Sequence, residues 1–419
     1  MCRVLGVIGN HDVIPLVAIG LYMQIYAGEH STGIAALTDK GIHLEKALGK
    51  AVDVFPGYPS FSGEVAIGHN GCASSELQPI DLSDSGRQLA FAVDATKETT
   101  LMITDLLTES RDAIGAVKQV LAEIYEPFAL VVISENDGLI AARNSGIKPL
   151  TIGKIELDGF SGFYVASQSG VLVDGSFLDT VKPGSLQVIT KEARKEIVVL
   201  DRADPRHCVN EVLFKQRPGN LSGKREINGI RLDIGRRLGE RFAQYLASSG
   251  ANAAQEYKGI AIPEGGRQFC IGFGQTSGID VDPAGSIKAI YSVPAHMRLA
   301  ARRIGLSENF DLMPLPNVAG RRIVLIDDQI RSGAKIAHMV EQCHVMDAKD
   351  VIVAVGSIGT SSCPYGDAAY NSEDLIDRLL TLTEISRALG VSTIITLPLK
   401  ELIQAIGTPE RIYCVDCLC

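Results

Sequence analysis

The chain has 419 residues, 46% hydrophobic and 21% charged, with a formal net charge of −9. That length favours two domains over one, and the acidic balance argues against a nucleic-acid-binding surface spread over the whole chain. No apolar run is long enough to span a bilayer, and no cationic segment leads into a removable apolar stretch, so a cytoplasmic protein without membrane or nucleic-acid partners is expected.

Residues 1–10, MCRVLGVIGN, place Cys2 directly before an apolar strand. Removal of Met1 would leave an N-terminal cysteine whose own amine can activate the thiol; a small residue that merely begins a strand is the plainer alternative. A helical stretch follows at residues 14–28, then strand-and-turn segments at 65–71, 89–95 and 129–153. The last reads as hairpins, with a turn at residues 136–138 and an end marked by Gly146 and Pro149. Residues 160–175 and 178–190 continue in this manner, so the first half is rich in antiparallel β structure with at least two helices.

Residues 202–231 carry the turn chemistry of a connection, and a helix is expected over 230–248. Beyond it, short apolar runs alternate with helical patterns, which is the βαβ signature of a parallel sheet. Within this half, residues 322–335 read RIVLIDDQIRSGAK. Ile323, Val324, Leu325 and Ile326 form a buried-strand run, Asp327 and Asp328 follow, and the small turn Ser332, Gly333, Ala334 leads into a helical stretch at 336–346. Amides of such a turn and the start of a helix favour an anion. The acidic pair can take ribose hydroxyls or help hold a divalent metal; a buried strand with two terminal carboxylates is the simpler reading.

The nine cysteines stand at positions 2, 72, 208, 270, 343, 363, 414, 417 and 419. An odd number scattered along a long chain is not a secreted disulfide framework. Cys72, Cys270 and Cys343 lie in or beside apolar segments and are expected to be buried hydrophobes; Cys419 has no assignable role. Taken alone, Cys414-Val415-Asp416-Cys417 fits a zinc half-site, a redox pair or no site at all.

Residues 322–335 resemble the phosphoribosyl pyrophosphate (PRPP) signature of type I phosphoribosyltransferases. More broadly the chain resembles the amidophosphoribosyltransferase family, the glutamine-dependent enzymes that open purine biosynthesis. GEHSTGI at 28–34, AIGH at 66–69, LQP at 77–79, AARNSGIKPL at 141–150, ASQS at 166–169 and VKPG at 181–184 follow the family's order. Cys208, Glu211, Phe214, Arg217 and Pro218 match its inter-domain segment, with Leu213 in place of a tyrosine. The resemblance implies an α+β N-terminal-nucleophile domain (class II glutamine amidotransferase, αββα) over residues 1–205 and a connection over 206–230. An α/β type I phosphoribosyltransferase domain over 231–419, ending in the Cys-x-x-Cys pair, would follow.

The resemblance also implies roles. Cys2 would be the glutaminase nucleophile. PRPP would be held by Glu264, Gly265, Gly266, Lys288, Asp327, Asp328, Gln329, Arg331, Ser332, Gly333, Ala334 and Lys335, with Mg²⁺ at Asp327 and Asp328. Cys208, Cys363, Cys414 and Cys417 match the four thiolates that hold a 4Fe–4S cluster in some members, with structural zinc as the other metal such ligands suit. A homo-oligomer is expected.

Departures from the family fall mainly in the first domain. Gly68 to Ser74 replace Gly-His-x-Arg-Tyr-Ser-Thr, so Gly71 stands where an arginine would clamp the glutamine carboxylate and Cys72 where the tyrosine would be. Val93, Asp94, Ala95 and Thr96 replace His-Asn-Gly-Asn, and an anionic Asp94 would repel the developing oxyanion. Lys288 and Tyr291 keep the closing-loop pattern, whereas Pro294 and Ala295 replace Arg-Thr. The expectation is a PRPP-dependent transferase that displaces pyrophosphate with ammonia or another amine and has a degenerate glutaminase site. The alternatives are a phosphoribosyltransferase using a different nucleophile in a specialised pathway and a non-catalytic PRPP- or nucleotide-binding regulatory paralogue.

Overall fold

The computed structural model describes residues 2–24, 30–57, 59–72, 76–172, 175–201, 203–248, 254–288, 312–314, 318–359, 363, 365, 381–407 and 412–418. In the first half, a seven-stranded antiparallel sheet runs in the order Gly175–Thr180, Thr151–Leu157, Phe160–Ala166, Arg3–Gly9, Val65–Gly71, Ser31–Thr38, Gly41–Leu48. A six-stranded antiparallel sheet runs Arg194–Val198, Ser185–Ile189, Gly138–Arg143, Ala129–Ser134, Leu89–Asp94, Ile80–Asp81.

The strand Arg3–Gly9 is apolar on both faces because both are covered. Val4 and Ile8 point inward, where they meet Ala90, Ala92, Val131 and Ala141 of the second sheet. Leu5 and Val7, one residue out of phase, pack outward against Ile14, Val17 and Leu21 of the helix Ile14–Met23. On the opposite outer face, Ile103 and Leu107 of Lys97–Glu109 and Val117 and Val120 of Ala113–Glu123 cover Phe91 and Leu130. Helix, sheet, sheet and helix therefore stack in the αββα order that the resemblance implies.

The second half is built on a five-stranded parallel sheet in the order Asp280–Asp282, Tyr257–Ala261, Arg322–Ile330, Asp350–Ile358, Thr393–Thr396. Helices Ile227–Ser248, Gly266–Gly274 and Leu399–Ile406 cover one face through Ile234, Phe242, Phe269 and Ile406. Helices Ala334–Val345 and Leu382–Leu389 cover the other through Ile336, Met339 and Ile385. The first of these helices starts at Ile227, three residues before the apolar periodicity does, because the hairpin Leu221–Ser222/Arg225–Glu226 feeds it directly. Among the described residues no helix is long and apolar enough to cross a membrane.

Between the halves, His207–Cys208 pairs in parallel with Tyr413–Cys414, so the chain's end folds back onto the connection. The connection is also fastened to the first strand. Arg3, 0% exposed, donates to both carboxylate oxygens of Glu211 at 3.4 and 3.1 Å and to the Lys215 carbonyl at 3.0 Å.

Candidate active site

The carboxyl ends of the parallel strands form one rim. Asp327 and Asp328 lie within the strand Arg322–Ile330 rather than after it, with Asp327 in register with Val355 and Gln329 with Ser357. The strand outlasts its apolar run because its neighbour Asp350–Ile358 is equally long and continues the ladder. Asp327 is 0% exposed, and the Lys335 ammonium lies 2.6 Å from its Oδ2. Burial, partly offset by Lys335 and reinforced by Asp328, pushes the Asp327 carboxyl up to about 7. Gly333, at φ 75°, turns the chain into the helix Ala334–Val345, a conformation that L side chains resist.

A second loop meets this acid pair. A Cβ on Gly265 would lie 1.7 Å from Asp328 Oδ2, and one on Gly266 would lie 2.2 Å from the Ile326 carbonyl. Only bare backbone fits there, so the loop after Tyr257–Ala261 brings its main chain against the acidic strand end. Glu264, beside it, pairs with Arg267 at 3.2 Å. Gln329 donates to Ser357 Oγ at 2.9 Å, and Ser332 Oγ accepts from the Ala334 amide at 3.4 Å. The Arg331 guanidinium stacks 4.9 Å above the Phe214 ring of the connection. Lys288 ends the strand Ser286–Lys288, which Ser286 ties to the Ala261 carbonyl at the same rim. The Lys288 side chain, Tyr291, Pro294 and Ala295 lie outside the described residues. Lys335 enters the sequence reading only among the turn residues; the reach of its ammonium back to Asp327 needs the turn's geometry.

The second constellation surrounds Cys2. Pairing of Arg3 with Asn70 sets Cys2, 1% exposed, beside the end of the strand Val65–Gly71. The Cys72 sulfur is 3.6 Å from that of Cys2. Cys72 is half-buried beside another thiol rather than a core hydrophobe, because it follows the strand's last residue and has left the sheet. A hydrogen bond from Cys72 lowers the Cys2 thiol to about 6 despite burial and nearby Asp94. His69 is fully buried, and burial holds it down to about 4, so the imidazole is neutral at physiological pH.

Asp94 is not the uncompensated anion that its place in the sequence suggests. Lys148 reaches it at 2.9 Å, and although burial opposes ionisation, Lys148 and Arg3 outweigh it and hold Asp94 below the usual carboxylate range. The buried pair removes the simple repulsion argument. A carboxylate still accepts and cannot donate, so the Asp94 side chain offers nothing to an oxyanion. Among the described residues, Asp94 Oδ2, both ring nitrogens of His69, Ser145 Oγ and the Gln168 amide are buried without a well-formed hydrogen bond. Such groups are what a polar ligand or water would satisfy.

The third group is sulfur. Cys208 and Cys414 are in register across their short parallel pairing. Cys417 packs with Cys363 and Phe214, and its sulfur accepts from Asn210 Nδ2 at 3.1 Å. Lys215 Nζ lies 4.0 Å from Cys208 Sγ. Burial pushes Cys414 and Cys417 up to about 12. Among the described residues no three His, Cys, Asp or Glu side chains are gathered about a single point fit for one metal ion. The four thiols thus share a corner without forming a ready single-ion site. Cys270 and Cys343 are core residues, as expected, each pushed up to about 12 by burial.

No family model matches the chain. An amidophosphoribosyltransferase of Methanocaldococcus jannaschii is 27% identical over 475 aligned positions, covering 100% of this chain and 96% of the relative. Another from Archaeoglobus fulgidus is 26% identical, covering 100% and 97%. Among solved structures, a glutamine PRPP amidotransferase from B. subtilis complexed with ADP and GMP superimposes with a TM-score of 0.85 at 22% identity, covering 100% of this chain and 96% of that one. The fold is therefore that of an N-terminal-nucleophile glutamine amidotransferase domain joined to a phosphoribosyltransferase domain. The similarity to amidophosphoribosyltransferases thus runs along the whole length of the chain.

Proposed function

We propose that the chain is a PRPP-dependent transferase, amidophosphoribosyltransferase-like, in which ammonia displaces pyrophosphate at the anomeric carbon of the sugar. The observation that carries this reading is the shared rim, where the acidic strand end, the Gly333 turn and the side-chain-free Gly265–Gly266 backbone come together. In the reaction the C1–O bond to pyrophosphate breaks, the C1–N bond forms, and the ammonium product loses a proton. An oxocarbenium-like centre needs positioning and charge balance more than covalent help.

Asp327 and Asp328 would accept the ribose hydroxyls, and the 331–335 turn, with Ser332 and the Lys335 ammonium, would hold the 5′-phosphate. The loop at Glu264, Gly265 and Gly266, whose main chain abuts the acid pair, would meet pyrophosphate. Adjacent carboxylates are hard oxygen donors of the type that suits Mg²⁺, which when bound would offset pyrophosphate charge. Because the Asp327 carboxyl is pushed up to about 7, its acceptor form is lost below that pH. The kcat/KM for PRPP is therefore expected to fall as pH drops through about 7 in steady-state assays, which report the free enzyme's ionisations.

Cys208, Cys363, Cys414 and Cys417 suit a 4Fe–4S cluster by ligand chemistry, with structural zinc the other metal such thiolates take. Bound there, the cluster would tie the connection to the chain's end. Cys417→Ser is expected to lose bound iron and acid-labile sulfide after anaerobic purification; retention of both would remove Cys417 from the ligand set.

Glutamine is a poor ammonia source in this reading, since Gly71 supplies no clamp and the Asp94 side chain no oxyanion donor. Pyrophosphate release from PRPP with ammonia, measured against glutamine at equal nitrogen, tests the proposal. No release with either would leave only the binding role.

A further inference from the structure

The thiol pair beside the first strand is not used by the reaction proposed above. From its geometry we infer that Cys2 and Cys72 form a redox modification site, closing into an internal disulfide when a small hydroperoxide reaches them. The sulfurs are 3.6 Å apart, already in contact but not bonded. A disulfide needs about 2.05 Å, so the two side chains must approach by a further ~1.5 Å. Their backbones lie at adjoining strand ends, where Arg3 pairs with Asn70, and Cys72 stands beyond the last residue of its strand. One partner therefore sits outside the ladder and can move without breaking it.

The chemistry of the pair is asymmetric in the required way. Cys2 is the thiolate partner, lowered to about 6, whereas Cys270, Cys343, Cys414 and Cys417 are pushed up to about 12 by burial. Thiolates react with peroxides far faster than neutral thiols do. Cys72 is half-buried and in contact with Cys2, which is 1% exposed, so it is the solvent-facing member of the pair. His69 is neutral and cannot supply an imidazolium; the stabilising donor is Cys72 itself.

The step balances as follows. The Cys2 thiolate attacks the terminal oxygen of the hydroperoxide, the O–O bond breaks, and the sulfenic acid forms with release of an alcohol, or of water from hydrogen peroxide. Cys72 then attacks the Cys2 sulfur, the S–S bond forms, the S–O bond breaks, and hydroxide leaves as water with the Cys72 proton. Two thiols lose two electrons and the hydroperoxide gains them. The bonded form has no nucleophile at residue 2, while the rim around Asp327 is untouched. The inference needs neither Met1 removal nor glutamine chemistry.

The test is peptide mapping of the full chain under non-reducing conditions after limited hydrogen peroxide treatment. A Cys2–Cys72 cross-linked peptide reversed by dithiothreitol is expected, with Cys270 and Cys343 still alkylatable. In Cys72→Ser, whose hydroxyl can still donate to Cys2, the cross-link is lost and Cys2 proceeds to sulfinic acid; in Cys72→Ala the cross-link is lost and oxidation of Cys2 slows, because the donor that holds its thiolate is gone. Over-oxidation of Cys2 in the unmodified chain without the cross-link, pairing of Cys2 with a different cysteine, or no change at either residue would each overturn the inference. Because the readout is covalent, it is independent of pyrophosphate release.

Discussion

Asp327→Asn is expected to lower kcat/KM for pyrophosphate release from PRPP by about 10- to 150-fold while leaving the chain folded. Asparagine keeps the shape and one acceptor but loses the charge, and hydrogen bonds to a charged acceptor contribute about 1.5–3 kcal/mol. Stability should move the other way. A carboxyl raised to about 7 in the native chain favours folding below its unfolded value, and that contribution is lost as pH rises through 7. At neutral pH the buried acid is therefore a cost to the fold, and its removal should raise or preserve the thermal midpoint. Lys335, 35% exposed at its side chain, can turn its ammonium to solvent once its partner is gone. Steady-state kinetics together with a melting curve separate this outcome from simple unfolding.

Arg3→Met has the opposite character. Arg3 and Glu211 are both buried, and the guanidinium also holds the Lys215 carbonyl. Removing one partner of a buried pair leaves an uncompensated charge and costs about 3–5 kcal/mol. Chemical unfolding should show that loss, and Arg3→Met with Glu211→Met should recover part of it, because replacing the pair together leaves Glu211 no orphaned charge while the Lys215 carbonyl still loses its donor. The contact joins the residue after Cys2 to the connection whose Phe214 carries Arg331. It links the first constellation to the connection that the rim contacts.

The antiparallel strands of the first half and the parallel sheet of the second were legible because periodicity and turn residues repeat element by element, whereas the αββα stacking followed only from the family resemblance. The rim was legible as well: apolar run, acids, small turn and helix occupy consecutive residues, so local sequence contains nearly the whole device. The first constellation was less so. Cys2, Cys72, Asp94 and Lys148 come from four separated segments, and only tertiary pairing shows that Lys148 neutralises Asp94 and that Cys72 touches Cys2. The Arg3–Glu211 tie spans |i−j| of 208 and leaves no local signal. Lys335 lay between these cases, placed in the turn by sequence but aimed at Asp327 only by the Gly333 conformation.

The most direct measurement is pyrophosphate release from PRPP by the anaerobically purified full chain, with ammonia and with glutamine as separate nitrogen sources. The account predicts release with ammonia that depends on Asp327, and little or no glutamate formed from glutamine. Efficient glutamine hydrolysis abolished by Cys2→Ala would contradict the degenerate glutaminase site. Absence of pyrophosphate release under every nitrogen source, from a chain that still binds PRPP, would contradict the transferase itself.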